Sequence, residues 1–137
     1  MDHFKISAKS FIVKDGKLLI LKRASNDIHK PDVWEIPGGR LDYGEDPHNG
    51  VKRETREEAG IDIEVIHPLN IRHFTRDDGQ IITMLIFLCK PLEEDIKISE
   101  EHSDFEWIPL NNCKNKLSSF FHKELDIFDK LELEKLL

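Results

Sequence analysis

The sequence predicts an α/β sandwich. Two observations carry that expectation. Short apolar runs of strand type are spread along most of the chain, and only two stretches show helical periodicity. A length of 137 residues is enough for one domain with a single sizeable core, so 1–137 is expected to be one unit without internal linker or repeat.

The elements follow in order. "KISAKSFIV" and "KLLILK" are strand-like, and Asp15-Gly16 between them is a hairpin signal. From Arg23 to Glu45 the chain is rich in Pro, Gly, Asn and Asp, which predicts a long loop around one short strand, "VWEI". A loop of that length in a small domain is usually functional. The first helix is expected over Pro47–Ala59, with Asp46 as N-cap, Pro47 in the first turn and Gly60 as the stop. Gly50 inside it costs roughly 1 kcal/mol against alanine. "IDIEVI" and "LNIRHFTR" read as two strands, "DDGQ" as a turn, "IITMLIFLCK" as a buried strand and "DFEWIPL" as the last strand. From about Leu117 onward, Leu117, Phe121, Leu125, Phe128 and Leu131 recur at helical spacing, which predicts an amphipathic C-terminal helix packed on the body.

Composition narrows the function. The chain is 39% hydrophobic and 34% charged, ordinary for a globular protein, with a formal net charge of −7. Phosphate backbones recruit basic surfaces, so a nucleic-acid polymer is not expected as the main partner. A small phosphorylated substrate remains compatible, because metal ions can neutralise both sides. "MDHFKISAKSF" shows no signal-peptide pattern, and no stretch is long and apolar enough to span a bilayer, so no membrane association is expected. The two cysteines, Cys89 and Cys113, form no disulfide framework, and Cys89 ends an apolar run as a small buried hydrophobe would. A reduced, cytoplasmic protein is the expectation.

The first helix raises a question of its own. At about 100° per residue, Glu54, Glu57 and Glu58 share one arc, where like charges repel. Val51, Thr55 and Ala59 form a neighbouring stripe of small residues suited to a sheet. Taken alone, the carboxylates could be a solvated face paired with Arg53 and Arg56. That solvated face is the first reading of the helix alone; the sharper one makes them ligands for a hard divalent cation, which prefers oxygen and makes their proximity tolerable.

The flanking residues decide between the two. Gly39, Glu45, Arg53, Glu54, Glu57, Glu58, Gly60 and Ile61 fit the pattern G-x5-E-x7-R-E-U-x-E-E-x-G-U, which resembles the signature of the Nudix hydrolases. Thr55 is a mild departure, since a bulkier apolar residue is common there. At average residue frequencies the seven fixed positions would match one start by chance about 10⁻⁸ of the time. The Pro-Gly-Gly of "WEIPGGRL", the preceding strand pair and the later "EHSDFEWIPL" also resemble that family.

The resemblance implies a Nudix-type α/β/α sandwich around a central mixed sheet. It implies hydrolysis of nucleoside diphosphates linked to another group X, with Mg²⁺ as cofactor and Mn²⁺ as a substitute. By similarity Glu54, Glu57 and Glu58 are the metal-binding carboxylates, joined by the Gly38 carbonyl. Arg53 orients a glutamate, Glu45 ties the loop to the helix, and Gly39 lies against substrate. The general base is Glu57 or Glu101, with Glu100 a rival to Glu101. Arg23 resembles a phosphate-contacting position, with Lys22 its rival. Trp34 and Trp107 read as core, and His29 is a further loop residue in reach of substrate. The box reports chemistry rather than substrate. Compact length and the placing of Arg23 and Glu101 lean toward cleaving a nucleoside triphosphate to monophosphate and pyrophosphate. ADP-ribose or a nucleotide sugar is the alternative substrate, and a nucleotide-binding module without catalysis is the alternative class.

Overall fold

The computed structural model describes residues 3–137. Strands β1 (Phe4–Lys14) and β2 (Lys17–Arg23) form the expected hairpin, with Asp15 and Gly16 both at positive φ in its turn. They pair with each other only near that turn, at Val13↔Leu18 and Lys14↔Lys17. Beyond it they splay apart, and the segment read as loop fills the gap with two strands. Strand β3 (Trp34–Glu35) pairs with β2, and β4 (Gly38–Arg40), which the sequence did not predict, pairs with β1 through Ser7↔Arg40, Ala8↔Gly39 and Lys9↔Gly38. Ile36 and Pro37 bridge the two, and the Pro37 carbonyl accepts from the Ser10 amide at 2.8 Å.

Helix α1 (Pro47–Ala59) has the predicted bounds and caps. The Asp46 side chain accepts from the Asn49 amide at 3.0 Å, and Gly60 ends the helix at φ 72°. Two predicted strands merge into one, β5 (Ile63–Thr75), with register shifts between Val65 and His67 and between Pro68 and Asn70. Pro68 is tolerated because β5 is an edge strand, where a missing N–H costs no ladder bond on the open side. Strands β6 (Ile81–Pro91) and β7 (His102–Pro109) follow. The C-terminal helix is shorter than its apolar spacing predicts. A 3-10 turn at Ser119–Phe121 precedes α2 (His122–Lys130), and Leu131 is 61% exposed because Glu132, at φ 53°, turns the chain away.

The sheet runs β3-β2-β1-β6-β5, with β4 on β1 and β7 on β2. It is mixed: β1 and β6 are parallel and the remaining pairs antiparallel. The alternation of side chains along β1 sends Ala8 and Ile12 to one face and Phe11 and Val13 to the other. Val51 and Ala59 of α1 complete the first core; Phe121, Leu125 and Phe128 complete the second. The result is the α/β/α sandwich. Cys89 and Cys113 are free and buried.

Thr55 and Gly50, the two irregular residues of α1, have local explanations. The Thr55 hydroxyl donates to the Val51 carbonyl at 2.7 Å and meets Ser10 Oγ of β1 at 2.9 Å, so a buried polar pair locks helix to sheet. A Cβ on Gly50 would stand 2.3 Å from Leu41 Cδ2, so glycine lets the 41–45 segment lie on the helix. Gly50→Ala is therefore expected to lower the melting temperature although alanine favours helix. Adding Leu41→Ala is expected to recover part of the loss. A Gly50→Ala protein that melts higher than wild type would show that Leu41 yields freely.

Candidate active site

The wedge of β3 and β4 sets backbone directly against the acidic side of α1. Gly38 has φ 134°, and a Cβ there would be 2.2 Å from the Ala8 carbonyl oxygen. Its amide donates to Glu58 Oε1 at 2.9 Å. A Cβ on Gly39 would lie 2.7 Å from Glu54 Oε2. The two glycines and the two carboxylates thus touch.

Arg53 organises the remaining acids. Its Nε and Nη2 donate to the two Glu45 oxygens at 2.7 and 2.9 Å, and Nη1 donates to Glu54 and Glu57, each at 3.1 Å. Nη2 also reaches the Arg40 carbonyl at 3.3 Å. The Arg53 hydrogen bonds hold the Glu45 carboxyl at about 2, well below the usual carboxylate range. Arg53 thus contacts three glutamates, and Glu45 joins the Asp42 amide of the loop to Arg53 of the helix.

Glu58 is the most perturbed acid of the group. Burial pushes its carboxyl up to about 8; the Lys9 charge and the Gly38 amide oppose this, while the charges of Glu35 and Glu54 add to it. Burial also raises Glu54, where Arg53 acts against it and the charges of Glu57 and Glu101 act with it.

Seven of the candidate site residues singled out in the sequence line one cavity of about 440 Å³: Arg23, His29, Gly38, Gly39, Glu54, Glu58 and Glu101. Glu101 is anchored through its backbone, its carbonyl accepting from the Ala24 amide at 3.0 Å. Glu100 and Glu101 also face a neighbouring hollow beside Asp27. Glu57 and Arg53 stand outside the cavity wall, and the Glu57 side chain is exposed. Among the described residues no three His, Cys, Asp or Glu side chains converge as a metal-ligand set. Glu54 and Glu57 both turn to the Arg53 guanidinium instead. Arg23 is held by carboxylates: Nη1 donates to both Glu35 oxygens at 3.0 Å, and Nη2 to Asp27 at 2.8 Å. Lys22 is absent from the wall, and both tryptophans are half-buried against the cores.

Sequence reasoning missed a buried ionic cluster beneath the cavity. Lys9 Nζ donates to Glu35 Oε1 at 3.1 Å, and His102 Nε2 lies 2.9 Å from Glu35 Oε2. Burial works to raise the Glu35 carboxyl, but the Lys9 charge, the His102 hydrogen bond and the Arg23 charge outweigh it and hold it at about 2. The one available signal was a charge inside an apolar run, Lys9 in "ISAKSFIV" and Glu35 in "VWEI". The apolar half of the cavity, Phe74, Ile82, Met84, Phe120 and Phe121, was also unforeseen.

An α/β/α sandwich that lays a Gly-Gly strand across an acidic helix and opens a charged cavity beside it defines a class that known proteins share. The profile of the NUDIX domain matches residues 4–126. A MutT-like protein of Streptomyces ambofaciens is 32% identical over 118 residues, 85% of this chain and 71% of that protein. The nucleoside triphosphatase NudI of Klebsiella pneumoniae is 32% identical over 114 residues, 76% of this chain and 81% of that protein. The crystal structure of a MutT protein from Methanosarcina mazei superposes with a TM-score of 0.85 at 26% identity, covering 94% of this chain and 95% of that one. The chain belongs to the Nudix family, and it is a hydrolase.

Glu35 has a stability consequence that can be measured. Its folded carboxyl lies near 2 against an ordinary 4.5, so the stability it contributes is present above about pH 4.5 and is lost as pH falls through 2. Glu35→Gln leaves Lys9 uncompensated in a buried site, at an expected cost of about 3–5 kcal/mol at neutral pH. Denaturant melts of the two proteins are expected to converge as pH falls from 4.5 toward 2. Equal stability at pH 7 would show that Lys9 finds another partner.

Proposed function

We propose that the chain is a divalent-cation-dependent hydrolase of a pyrophosphate bond in a nucleoside diphosphate linked to X. The favoured substrate is a nucleoside triphosphate, cleaved to monophosphate and pyrophosphate. One observation supports this above the others: a single cavity is lined both by the carboxylates of Glu54, Glu58 and Glu101 and by apolar Phe74, Ile82, Met84, Phe120 and Phe121. Such a wall suits a substrate with a charged end and a flat apolar one. Lys5, Lys30, Arg40 and Arg76 also line it, giving a net-acidic protein a cavity that accepts anions. The relative named as a nucleoside triphosphatase favours the same substrate.

The donors fit Mg²⁺ or Mn²⁺. All are hard oxygens, and Glu54 and Glu58 are raised first by burial and further by neighbouring carboxylates, both of which a cation would offset. Glu54, Glu57, Glu58 and the Gly38 carbonyl would hold the ion, with Glu57 turning from Arg53. When bound, the ion supplies charge neutralisation at the diphosphate and acidifies water. The chain's own residues do the rest. Arg53 fixes Glu54 and Glu57, and the Gly38 amide fixes Glu58. The Gly39 backbone lets phosphate approach the helix, and Arg23 adds positive charge. Glu101 accepts the proton as water attacks phosphorus and the anhydride oxygen leaves with its electron pair.

Turnover of a nucleoside triphosphate panel is expected to vanish in chelator and to return with Mg²⁺ or Mn²⁺, releasing pyrophosphate rather than orthophosphate. Full activity in chelator would sink the metal role.

Glu101→Gln at saturating Mg²⁺ is expected to lower kcat by about 10²-fold or more with little change in KM, in the range of a lost general base. Glu100→Gln is expected to do much less, since Glu100 does not line the cavity that holds Glu54 and Glu58. The reverse ranking would move the base by one residue, and no effect from either would return it to Glu57.

A further inference from the structure

Lys9 stands in the middle of a buried run of β1, where a charge is costly unless paired. It is 6% exposed and lines the cavity. In the β1–β4 ladder it lies opposite Gly38, whose amide holds Glu58. An ammonium has three donors. Glu35 Oε1 takes one at 3.1 Å and the Ile36 carbonyl takes a second at 3.2 Å. The Phe121 ring, with its centroid 6.0 Å away, is at the outer limit of a cation–π contact. No acceptor of the protein takes the third N–H among the described residues. Arg23, anchored on the same Glu35, leaves its buried Nε without a partner too. The cluster therefore holds more donors than acceptors. An oxygen acceptor entering the cavity would supply the missing partner.

We propose that Lys9 donates its third N–H to a non-bridging oxygen of the phosphate under attack, acting as a fixed cation beside Gly38 and Glu58. The proposal rests on the reading of the cavity as a pyrophosphatase site. Glu35 and the Ile36 carbonyl hold the ammonium in place before substrate arrives. Charge on the equatorial oxygens of a transferring phosphoryl group is what a preorganised donor stabilises. Lys9 is thus a catalytic residue, whereas Glu35 is a positioning residue acting through it.

The test is Lys9→Met, assayed with a nucleoside triphosphate at saturating Mg²⁺ beside a thermal melt. Glu35 keeps Arg23 and His102 as partners in this variant, so the protein is expected to fold. Removing one transition-state donor is expected to lower kcat by about 10²-fold, with KM nearly unchanged. A kcat loss below about tenfold, or a change confined to KM, would overturn the proposal. If methionine prevents folding, Lys9→Gln, whose shorter uncharged side chain no longer presents the ammonium to the phosphate, is read by the same criteria. Wild-type protein that shows no Mg²⁺-dependent turnover would overturn the functional reading instead. Lys9 is then judged by calorimetry with inorganic pyrophosphate and Mg²⁺: weaker binding by Lys9→Met supports the contact, and equal binding removes it.

Discussion

The closest constraint in the molecule is the approach of Gly38 to β1. Its Cα lies so near Ala8 that a Cβ would sit 2.2 Å from a carbonyl oxygen. Only glycine can stand there, and because it does, β4 pairs with β1 while its amide remains free to meet Glu58 on α1. The splay between β1 and β2 makes the space, and the Trp34–Arg40 segment fills it. Every acidic residue of the site is placed relative to that segment. Ser10 and Thr55, buried a few residues away, fix the helix at the matching distance.

Electrostatics explains why the acids do not simply push the helix apart. Arg53 gathers Glu45, Glu54 and Glu57 around one guanidinium, whose planar fork satisfies several carboxylates at once. Glu58 has no such partner. Its carboxyl is buried and accepts one amide, and burial raises it to about 8. Beneath it Glu35 goes the other way, to about 2, because it is surrounded by Lys9, Arg23 and His102. Two buried glutamates in one wall are driven apart by their neighbours alone.

How much of this was legible in the sequence follows from distance along the chain. Helix α1 was legible to the residue, since Asp46, Pro47 and Gly60 act locally. The hairpin and β6 were legible for the same reason. Strand β4 was not, because three residues with two glycines carry no strand pattern and pair only through the distant β1. The split of β5 failed on Pro68, whose usual meaning is cancelled by an edge position that only the folded sheet reveals. Of the box glutamates that the spacing singled out, Glu54 and Glu58 line the cavity and Glu57 does not. The orientation of Glu57 toward Arg53 was not legible, because it is set by competition among charges. Lys9, Glu35 and His102 lie 26 and 67 positions apart along the chain, beyond any local pattern.

The three acids of α1 therefore differ in what a bound cation would change. Glu54 already sits against Gly39 and needs little movement. The Glu58 carboxyl is raised by burial, so a cation there would favour its charged form and couple affinity to pH. Glu57 would have to leave a guanidinium that Glu45 and Glu54 continue to hold. An arginine with several carboxylate partners can release one at small cost, because the remaining contacts keep it in place. That redundancy gives the motif's arginine a use beyond neutralising charge. It keeps the crowded carboxylates of the helix tolerable, and it can release one of them without losing the geometry of the others.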